Sequence, residues 1–328
     1  MEHLRILRRA TLVAAFAAAM PLRGALAQQY PDRPVKWIVA YAAGGGTDTL
    51  ARILGAAMSP RLGQPVVIDN RPGAATNIGA EATAKSPPDG YTMFSADNGT
   101  LVFNPALFRR LPYDPQKDFR PIGLMARFPL VLTVKQNSAF GGARDLFDAA
   151  RAKPGDIDYG SPGVGSPHHL TMERLSKETG VRFNHVPYRG AAPALNDLLA
   201  GNFETMILDL PSGAEYLRSG RVKALGICSA ARHPDLPDVP TIQEALGLRG
   251  FEAYAWQGLV VPARTPDAVA DRLTAELAAS LRDQSVTDRM RAIGLEPLTG
   301  GPDEFRTLIE AERAVWVPLI KERGITLD

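Results

Sequence analysis

The sequence predicts an α/β protein built on largely parallel sheets, because strand-like and helix-like segments alternate along the chain. Short runs rich in β-branched and aromatic residues alternate along the chain with segments whose apolar residues recur every three or four positions. Strands that alternate with helices in this way pair in parallel, with the helices covering the faces of the sheet. The chain has 328 residues, 45% of them hydrophobic, which is enough to bury large cores in two domains.

The first predicted unit is a strand, a glycine loop and a helix. Residues 35–40 are mostly apolar, as in a buried strand, and the glycines at 44–46 end that strand. Apolar residues then recur at helical spacing from Leu50 to Met58. Thr47 or Asp48 is the expected N-cap of this helix, because a short side-chain oxygen accepts a hydrogen bond from the first N–H groups of a helix.

The remaining elements continue the alternation, with one proline-rich interruption. Further strands are predicted at 66–68, 91–94, 130–134, 157–159, 205–208, 222–228 and 258–261. Further helices are predicted at 78–85, 144–152, 170–176, 191–200, 267–281, 285–293 and 303–322. Residues 233–240 contain three prolines and are expected to form a loop. Pro318 is expected to kink or end the last helix.

The N-terminus has the three-part layout of a secretory signal peptide. Arg5, Arg8 and Arg9 precede an uncharged run at 10–20, and the A-x-A pattern at 25–27 follows it. The run is 11 residues long, whereas a membrane-spanning helix needs roughly 20. Export and cleavage near residue 27 are therefore expected, with a retained N-terminal anchor as the alternative.

Composition excludes several kinds of partner and site. The full chain has a net charge of +2, but removal of residues 1–27 takes away four arginines and one glutamate and leaves −1. A chain without excess positive charge gives no support for nucleic-acid binding. Cys228 is the only cysteine, which excludes an internal disulfide and a cysteine metal cluster. Its β-rich surroundings predict a buried thiol.

Two loops share one construction and are the strongest candidates for a binding site. Residues 41–48 (YAAGGGTD) and 161–169 (SPGVGSPHH) each follow a predicted strand, contain glycines and lead into a predicted helix. In the second loop, Ser166 fits an N-cap and Pro167 the first helical position. Glycines let the backbone approach a ligand, and the unpaired N–H groups of a helix start attract an anion. Together the loops predict a cleft for a small carboxylate, although either loop alone is equally explained as a tight turn.

Other kinds of site fit these loops poorly. Residues 44–49 lack the third glycine of G-x-G-x-x-G, and the chain contains no G-x-x-x-x-G-K-[ST], so a nucleotide site is disfavoured. Proline and histidine follow Ser166, which breaks the G-x-S-x-G elbow of serine hydrolases. His168, His169 and His185 do not have a zinc-binding spacing, so no metal is expected. A hydrolase or isomerase that uses Ser166, His169 or Asp48 is the alternative class of protein.

Several side chains near the two loops have two possible roles. Asp48 either caps the helix or pairs with an amine or hydroxyl of the ligand. Asp209, at the end of a predicted strand, has the same two roles. Tyr41, Tyr188 and Trp256 either line the cleft or pack in a core.

An ordered series of short motifs runs from residue 30 to the final helix. They are AGGGTD (43–48), LGQPVVIDNRPGA (62–74), NIGAE (77–81), PDGYT (88–92), NPAL (104–107), LPYDP (111–115), VPYRG (186–190), APAL (192–195) and LPDVPT (236–241). With these motifs the chain resembles the substrate-binding receptors of tripartite tricarboxylate transporters, often called Bug receptors. The resemblance covers nearly all of the chain after the predicted signal peptide.

This resemblance implies a type II-like periplasmic binding protein fold, with two lobes joined by two hinge strands. Lobe 1 would comprise residues 30–128 and 256–328, and lobe 2 residues 129–255, each a mostly parallel sheet flanked by helices. The family holds the ligand carboxylate between the lobes on loops that correspond to 43–48 and 161–166, and residues 98–100 match a further cleft segment. The expected ligand-binding residues are Tyr41, Ala43, Gly45, Gly46, Thr47, Asp48, Asn98, Thr100, Ser161, Gly163, Gly165, Ser166, His169, Tyr188 and Asp209.

The resemblance also implies a function and partners. Such a receptor binds a di- or tricarboxylate, an acidic amino acid or an aromatic acid in the periplasm, closes on it and presents it to membrane permease subunits. It uses no cofactor, is not an enzyme, and is expected to be a monomer. A sensory receptor for the same acid is a further alternative, because its cleft would look identical.

Departures from the family pattern leave the ligand unidentified. Members commonly have prolines at the positions of Ala40 and Ala42 and a phenylalanine at that of Tyr41. The usual pattern also has an aspartate at the position of Leu208 and a different polar residue at that of Asp209.

Overall fold

The fold is described from a computed structural model, which covers residues 30–327. The predicted signal peptide, residues 1–27, lies outside the described residues. In the described part of the chain, no helix is long and apolar enough to cross a membrane. From Arg33 onward the chain packs as one continuous unit, and the lobe boundaries given above remain a prediction.

Strands and helices alternate along residues 30–327, as the α/β class requires. The strands are β1 (Val35–Val39), β2 (Val66–Asn70), β3 (Thr92–Asp97), β4 (Phe119–Lys135), β5 (Asp158–Ser161), β6 (Asn184–Pro187), β7 (Thr205–Asp209), β8 (Val222–Ile227), β9 (Tyr254–Pro262) and β10 (Glu296–Pro297). The α-helices are α1 (Gly46–Leu62), α2 (Asn77–Ala84), α3 (Asn104–Leu107), α4 (Ala143–Ala152), α5 (Pro167–Thr179), α6 (Ala191–Ala200), α7 (Leu210–Arg218), α8 (Ile242–Leu246), α9 (Asp267–Leu281), α10 (Gln284–Ala292) and α11 (Pro302–Glu322).

The strands form two sheet regions, each with three parallel strands. In region 1, strands β2, β1 and β3 lie side by side, and β9 pairs antiparallel with β3 and with the first part of β4. In region 2, strands β6, β5 and β7 lie side by side, and the last part of β4 pairs antiparallel with β7 and β8. Helices follow the parallel strands and bury their apolar sides against the sheets.

Strand β4 belongs to both regions. Its residues from Phe119 to Pro129 pair with β9, whereas the pairing with β7 begins at Leu130. Between Pro129 and Leu130, β4 crosses from region 1 to region 2. The chain crosses back next to this point, where Cys228 N donates to Leu130 O and Ala253 N donates to Cys228 O, each at 2.8 Å. Two adjacent crossings therefore join the regions, as expected for the predicted fold class.

The α/β class is confirmed, and most predicted elements lie within a few residues of the observed ones. The antiparallel strands β4, β8, β9 and β10 make each region mixed rather than mostly parallel. Strands β6 and β10, helices α3, α7 and α8, and the first half of β4 were not predicted. Pro121 and Pro129 hide the start of β4 in the sequence, because proline lacks an N–H donor, and the pairing shifts register between Pro121 and Gly123.

One local prediction is wrong. The N-cap of α1 is Gly45, not Thr47 or Asp48, both of which lie within the first helical turn. Of the two outcomes predicted for Pro318, an end of the helix is excluded, because α11 continues to Glu322. The helix persists because its buried side chains, Trp316, Leu319 and Ile320, pack against the core on both sides of the proline.

Candidate functional site

The carboxyl ends of the parallel strands of both regions lie where β4 passes from one region to the other. Strands β1 and β3 end at Val39 and Asp97, and strands β5 and β7 end at Ser161 and Asp209. Leu130, the first residue of β4 in region 2, lies opposite Asp209. In open α/β sheets, ligands bind in the crevice outside such strand ends. We call this place the cleft.

Both glycine loops pack against the opposite sheet region. A Cβ atom at position 46 would lie 3.1 Å from both Pro211 Cβ and Phe128 Cε1. A Cβ atom at position 165 would lie 2.5 Å from Leu107 Cδ1, and Gly165 has a φ of +75°. Glycine is therefore required at position 165 by both space and backbone angle, and it permits the close contact at position 46.

The first loop is held by a buried carboxylate within α1. Asp48, only 2% exposed, accepts hydrogen bonds at Oδ2 from Gly44 N (2.8 Å) and Arg52 Nε (2.9 Å), and at Oδ1 from Asn70 Nδ2 (2.9 Å). Burial acts to raise the pKa of Asp48, but these hydrogen bonds and the positive charge of Arg52 outweigh it and lower the pKa below its usual value. Because both oxygens have partners in the protein, the carboxylate is already fully engaged.

The N–H groups that follow Gly44 remain unpaired. In the described chain, the backbone N–H groups of Gly45, Gly46, Thr47 and Asp48 have no hydrogen-bond acceptor, whereas Thr49 N donates to Gly45 O. The first N–H groups of a helix have no intrahelical partner, and they carry the positive end of its dipole. The start of α1 therefore presents a row of donors suited to an anion.

The second loop satisfies most of its own donors. Ser166 is the N-cap of α5, as predicted, and its Oγ accepts from His169 N at 3.2 Å. Gly165 N donates to His169 Nδ1 at 3.0 Å, and Ser166 N donates to Gly163 O at 3.2 Å. Gly163 N donates to Ser161 Oγ at 3.2 Å.

A stack of two buried rings and one half-buried ring supports the second loop. The rings of His169 and His185 are nearly parallel, with centroids 3.9 Å apart, and Tyr159 stacks on His185 at 4.8 Å. Ser161 Oγ lies 2.6 Å from His185 Nε2. Burial lowers the pKa of His169 to about 3, with a contribution from His185, and burial lowers the pKa of His185 to about 4. Both rings are therefore neutral at neutral pH.

Tyr41 connects the first loop to the end of β3. Its hydroxyl donates to Asp97 Oδ2, and the other oxygen of Asp97 accepts from Thr100 N and Thr100 Oγ1, each at 2.7 Å. Desolvation, followed by the negative charge of Asp97 and a smaller effect of Asp209, raises the pKa of Tyr41 well above its usual value. Thr100 is fully buried and bonds Thr76, so it anchors this network within region 1.

A histidine–aspartate pair that the sequence did not predict lies at the ends of β7 and the second loop. His168 Nε2 is 2.9 Å from Asp209 Oδ2, and Asp209 Oδ1 accepts from Ser212 N at 2.9 Å as the N-cap of α7. Burial acts to raise the pKa of Asp209, but His168 and Ser212 N–H lower it overall. Among the described residues, the buried Nδ1 of His168 has no hydrogen-bond partner.

The other predicted residues differ in where their side chains point. Ala43 is exposed in the first loop. Asn98 is buried and donates through Nδ2 to Tyr254 O at 3.2 Å, whereas its Oδ1 has no hydrogen-bond partner among the described residues. The hydroxyl of Tyr188 donates to Asp197 at 2.7 Å. Trp256 is fully buried and packs in the core. Gln257, which was not predicted, donates to Thr47 Oγ1 at 3.2 Å beneath the start of α1.

The described residues offer neither a metal site nor a reactive thiol. Residues 30–327 contain no cluster of three or more His, Cys, Asp or Glu side chains that could hold a metal ion. Cys228 is fully buried, as predicted, and burial raises the pKa of its thiol to about 12.

Two sheet regions joined by adjacent crossings, with polar residues at the strand ends between them, are the architecture that this chain shares with the periplasmic binding protein BugD, at a TM-score of 0.81 and 34% identity. The family model of the tripartite tricarboxylate transporter family receptor matches residues 50–325. The chain belongs to this receptor family, and the resemblance drawn from its motifs is confirmed.

Three known proteins illustrate the similarity. BugT of Bordetella pertussis is 35% identical over 92% of this chain and 92% of its own length. The structure of Rpa4515 from R. palustris with adipate is 38% identical, has a TM-score of 0.84, and covers 90% of this chain and 99% of that chain. The structure of MatC from Rhodopseudomonas palustris with bound malate is 32% identical, has a TM-score of 0.79, and covers 89% of this chain and 100% of that chain.

Proposed function

We propose that this protein captures a small carboxylate in the cleft and presents it to the membrane permease of a tripartite tricarboxylate-type transporter. The observation that carries the proposal is the row of unpaired N–H groups from Gly45 to Asp48 at the start of the 17-residue helix α1. A carboxylate accepts several such hydrogen bonds at once, and each is strengthened by its charge.

The relatives support this class of ligand. Rpa4515 was solved with adipate and MatC with malate, and both ligands are carboxylates. Their high structural similarity to this chain favours a carboxylate here as well. The particular acid is left to experiment, because the departures at Tyr41 and Asp209 alter the polar groups near the cleft.

Capture is proposed to proceed by closure of one sheet region on the other. A carboxylate first meets the donors of the first loop, and the approach of Pro211 and Gly165 to the opposite region then excludes water. A ligand shifts such an equilibrium by its differential affinity for the open and closed forms. The closed form is the one that a permease would recognise.

We propose that the cleft performs no chemistry. Ser166 Oγ is engaged as a helix cap, and both oxygens of Asp48 have partners in the protein. The pair with the geometry of an activated serine is Ser161 and His185, but Ser161 is fully buried, and the lowered pKa of His185 makes it a weak base.

We propose the compartment and the partners from the family to which the chain belongs. Export is proposed to remove residues 1–27 and to release a monomer into the periplasm, where it meets permease subunits. A sensory role for the same acid is separated from transport by co-purification of the tagged receptor from membranes. Recovery of a permease supports transport, whereas recovery of a signalling protein alone would contradict it.

The first test is a thermal-shift screen of residues 28–328 against small mono-, di- and tricarboxylates, amino acids and aromatic acids, with neutral amides as controls. A ligand at about 100 times its dissociation constant stabilises the folded protein by roughly 2.7 kcal/mol. We expect acids to raise the melting temperature and their amides not to do so. A panel without any responding acid, or turnover of a bound acid, would contradict the proposal.

The second test uses Gly46→Ala, which adds a methyl group between α1 and Pro211. We expect the affinity for the acid identified in the screen to fall about tenfold, which corresponds to about 1.4 kcal/mol, because the added atom hinders closure. Gly142→Ala is the matched control, since it also lies at a helix start but faces open space. Calorimetry that gives equal affinities for both variants would argue against closure at Gly46.

A further inference from the structure

Three buried side-chain atoms near the cleft have no hydrogen-bond partner among the described residues: Asn98 Oδ1, Gln257 Oε1 and His168 Nδ1. Of these, His168 Nδ1 is the one on a titratable ring, whose other nitrogen is bound by Asp209. The side chain of His168 is 11% exposed, and its Nδ1 is buried without a partner among the described residues. Native proteins pair nearly all buried polar atoms, because an unpaired one loses its hydrogen bonds to water without replacement. A ligand group is therefore a natural partner for this nitrogen.

Asp209 determines which kind of group His168 can bind. The pKa of Asp209 is lowered, so the side chain is a carboxylate and can only accept hydrogen bonds. At 2.9 Å it accepts the proton of His168 Nε2, and the tautomer that carries its proton on Nε2 has a lone pair on Nδ1. In this tautomer, His168 can accept a hydrogen bond from the ligand.

The charges nearby favour the same kind of ligand group. Asp97 and Asp209 are both buried, both lie close enough to Tyr41 to affect its phenol, and neither forms an ion pair with lysine or arginine in the described chain. A second carboxylate of the ligand would be repelled at this end of the cleft. A hydroxyl or amino group would instead donate to His168 without that repulsion.

We propose that His168, held by Asp209, is a specificity-determining residue that accepts a hydrogen bond from a hydroxyl or amino group of the bound carboxylate. This inference rests on the proposed carboxylate-binding function. It assigns the ligand to the hydroxy or amino acids and divides the cleft between two tasks. The start of α1 binds the carboxylate, and the His168–Asp209 pair recognises the donor group beyond it.

The test compares acids that differ by one hydroxyl group: butyrate with its hydroxy derivatives, succinate with malate, and adipate with its hydroxy derivatives. Calorimetry on the wild-type chain should give at least one pair in which the hydroxylated acid binds about tenfold or more tightly, because a site built for a donor rejects an analogue without it. The ratio of the two affinities in such a pair measures the preference for the hydroxyl group. In His168→Phe, which keeps a ring but has no acceptor, this ratio should fall to about one.

Two further variants separate specificity from folding. Asp209→Asn retains a side-chain oxygen that caps α7 but no longer fixes the tautomer of His168, so the ratio should fall partway. His233→Phe makes the same substitution at a buried histidine beside Asp235 and Glu296 and should leave the ratio unchanged. Both variants remain informative if His168→Phe fails to fold.

The possible failures are distinguishable. Tight binding of both members of every pair with equal affinity, or a ratio that persists in His168→Phe and Asp209→Asn, would overturn the inference while the proposed function stands. A preference for the acid with an additional carboxylate over its hydroxy analogue would also overturn it. The absence of binding by any acid would overturn the proposed function and the inference together.

Discussion

The two glycine loops share the order of strand, glycines and helix start but are stabilised in different ways. In the first loop, the donors from Gly45 to Asp48 are unpaired, and a charged side chain, Asp48, holds the loop from within the helix. In the second loop, Ser161, Ser166 and His169 accept hydrogen bonds from most of the donors, and a stack of neutral rings lies beneath.

This difference assigns the loops different roles in the proposed capture. A loop whose N–H groups are unpaired can receive an anion without first breaking internal hydrogen bonds. A loop whose N–H groups are paired gives a rigid wall against which the ligand and the opposite region pack. The first loop is therefore expected to supply most of the affinity for the carboxylate. The second loop is expected to form a rigid wall that limits the shape of the ligand.

The largest expected effect concerns Asp48. Asp48→Ala should lower the free energy of unfolding by about 3 kcal/mol, because Gly44 N, Asn70 and Arg52 lose a buried charged acceptor. Asp145→Ala is the matched control, since Asp145 accepts from Gly141 N and Gly142 N at the start of α4 but is exposed. The free energy of unfolding of Asp145→Ala should fall by less than about 1 kcal/mol. Urea unfolding of both proteins measures the difference, and equal losses would contradict a special role of burial in the first loop.

The second largest expected effect is the pH dependence of stability that His169 in the second loop causes. The pKa of His169 is about 3 in the folded protein and about 6.5 when unfolded, so the unfolded state binds more protons between these values. Stability is therefore full above pH 6.5 and is lost as the pH falls. From pH 6.5 to 5, the titration of His169 alone should lower the free energy of unfolding by about 1.6 kcal/mol.

The measurement is urea unfolding across this pH range for the wild type and His169→Phe. The variant keeps a ring against His185 but cannot titrate, so its stability should depend less on pH. Glu173, whose carboxylate lies 3.9 Å from His169 Nε2, is the acidic neighbour to monitor. An unchanged pH dependence in His169→Phe would show that the ring is not the source of the acid sensitivity.

The smallest expected effect concerns the cap of α5. Ser166→Ala should lower the free energy of unfolding by about 1 kcal/mol, because His169 N loses its acceptor, and Ser166→Asn should restore most of it. Gly45, the N-cap of α1, provides no comparable side-chain cap. If Ser166→Asn is no more stable than Ser166→Ala, the hydroxyl has a role other than capping.

Local sequence patterns predicted the elements and the cap of the second loop. Strand β1, helix α6 and helix α9 follow from runs of apolar residues with the period of a strand or a helix, and this signal depends on nearby residues only. Ser166 followed by Pro167 was sufficient to locate the start of α5. The glycine loops were found for the same reason, since turns are encoded locally.

The cap of the first loop was predicted wrongly because its determinants are distant. Thr47 and Asp48 are good capping residues, but Asn70 on β2 and Gln257 on β9 bind their side chains within the helix. The His168–Asp209 pair was also missed, since 41 positions separate the two residues in the chain. Only the parallel pairing of β5 with β7 brings the ends of these segments together.

The sequence by itself determined the α/β class, most elements, the two glycine loops and the family, because each is encoded by short-range patterns of hydrophobicity, turn residues and motifs. The tertiary structure decided which N–H groups stay unpaired, which carboxylates are engaged and which histidine nitrogen has no partner. These properties depend on side chains that meet across sheet regions, and such contacts form only when strand order and register are fixed.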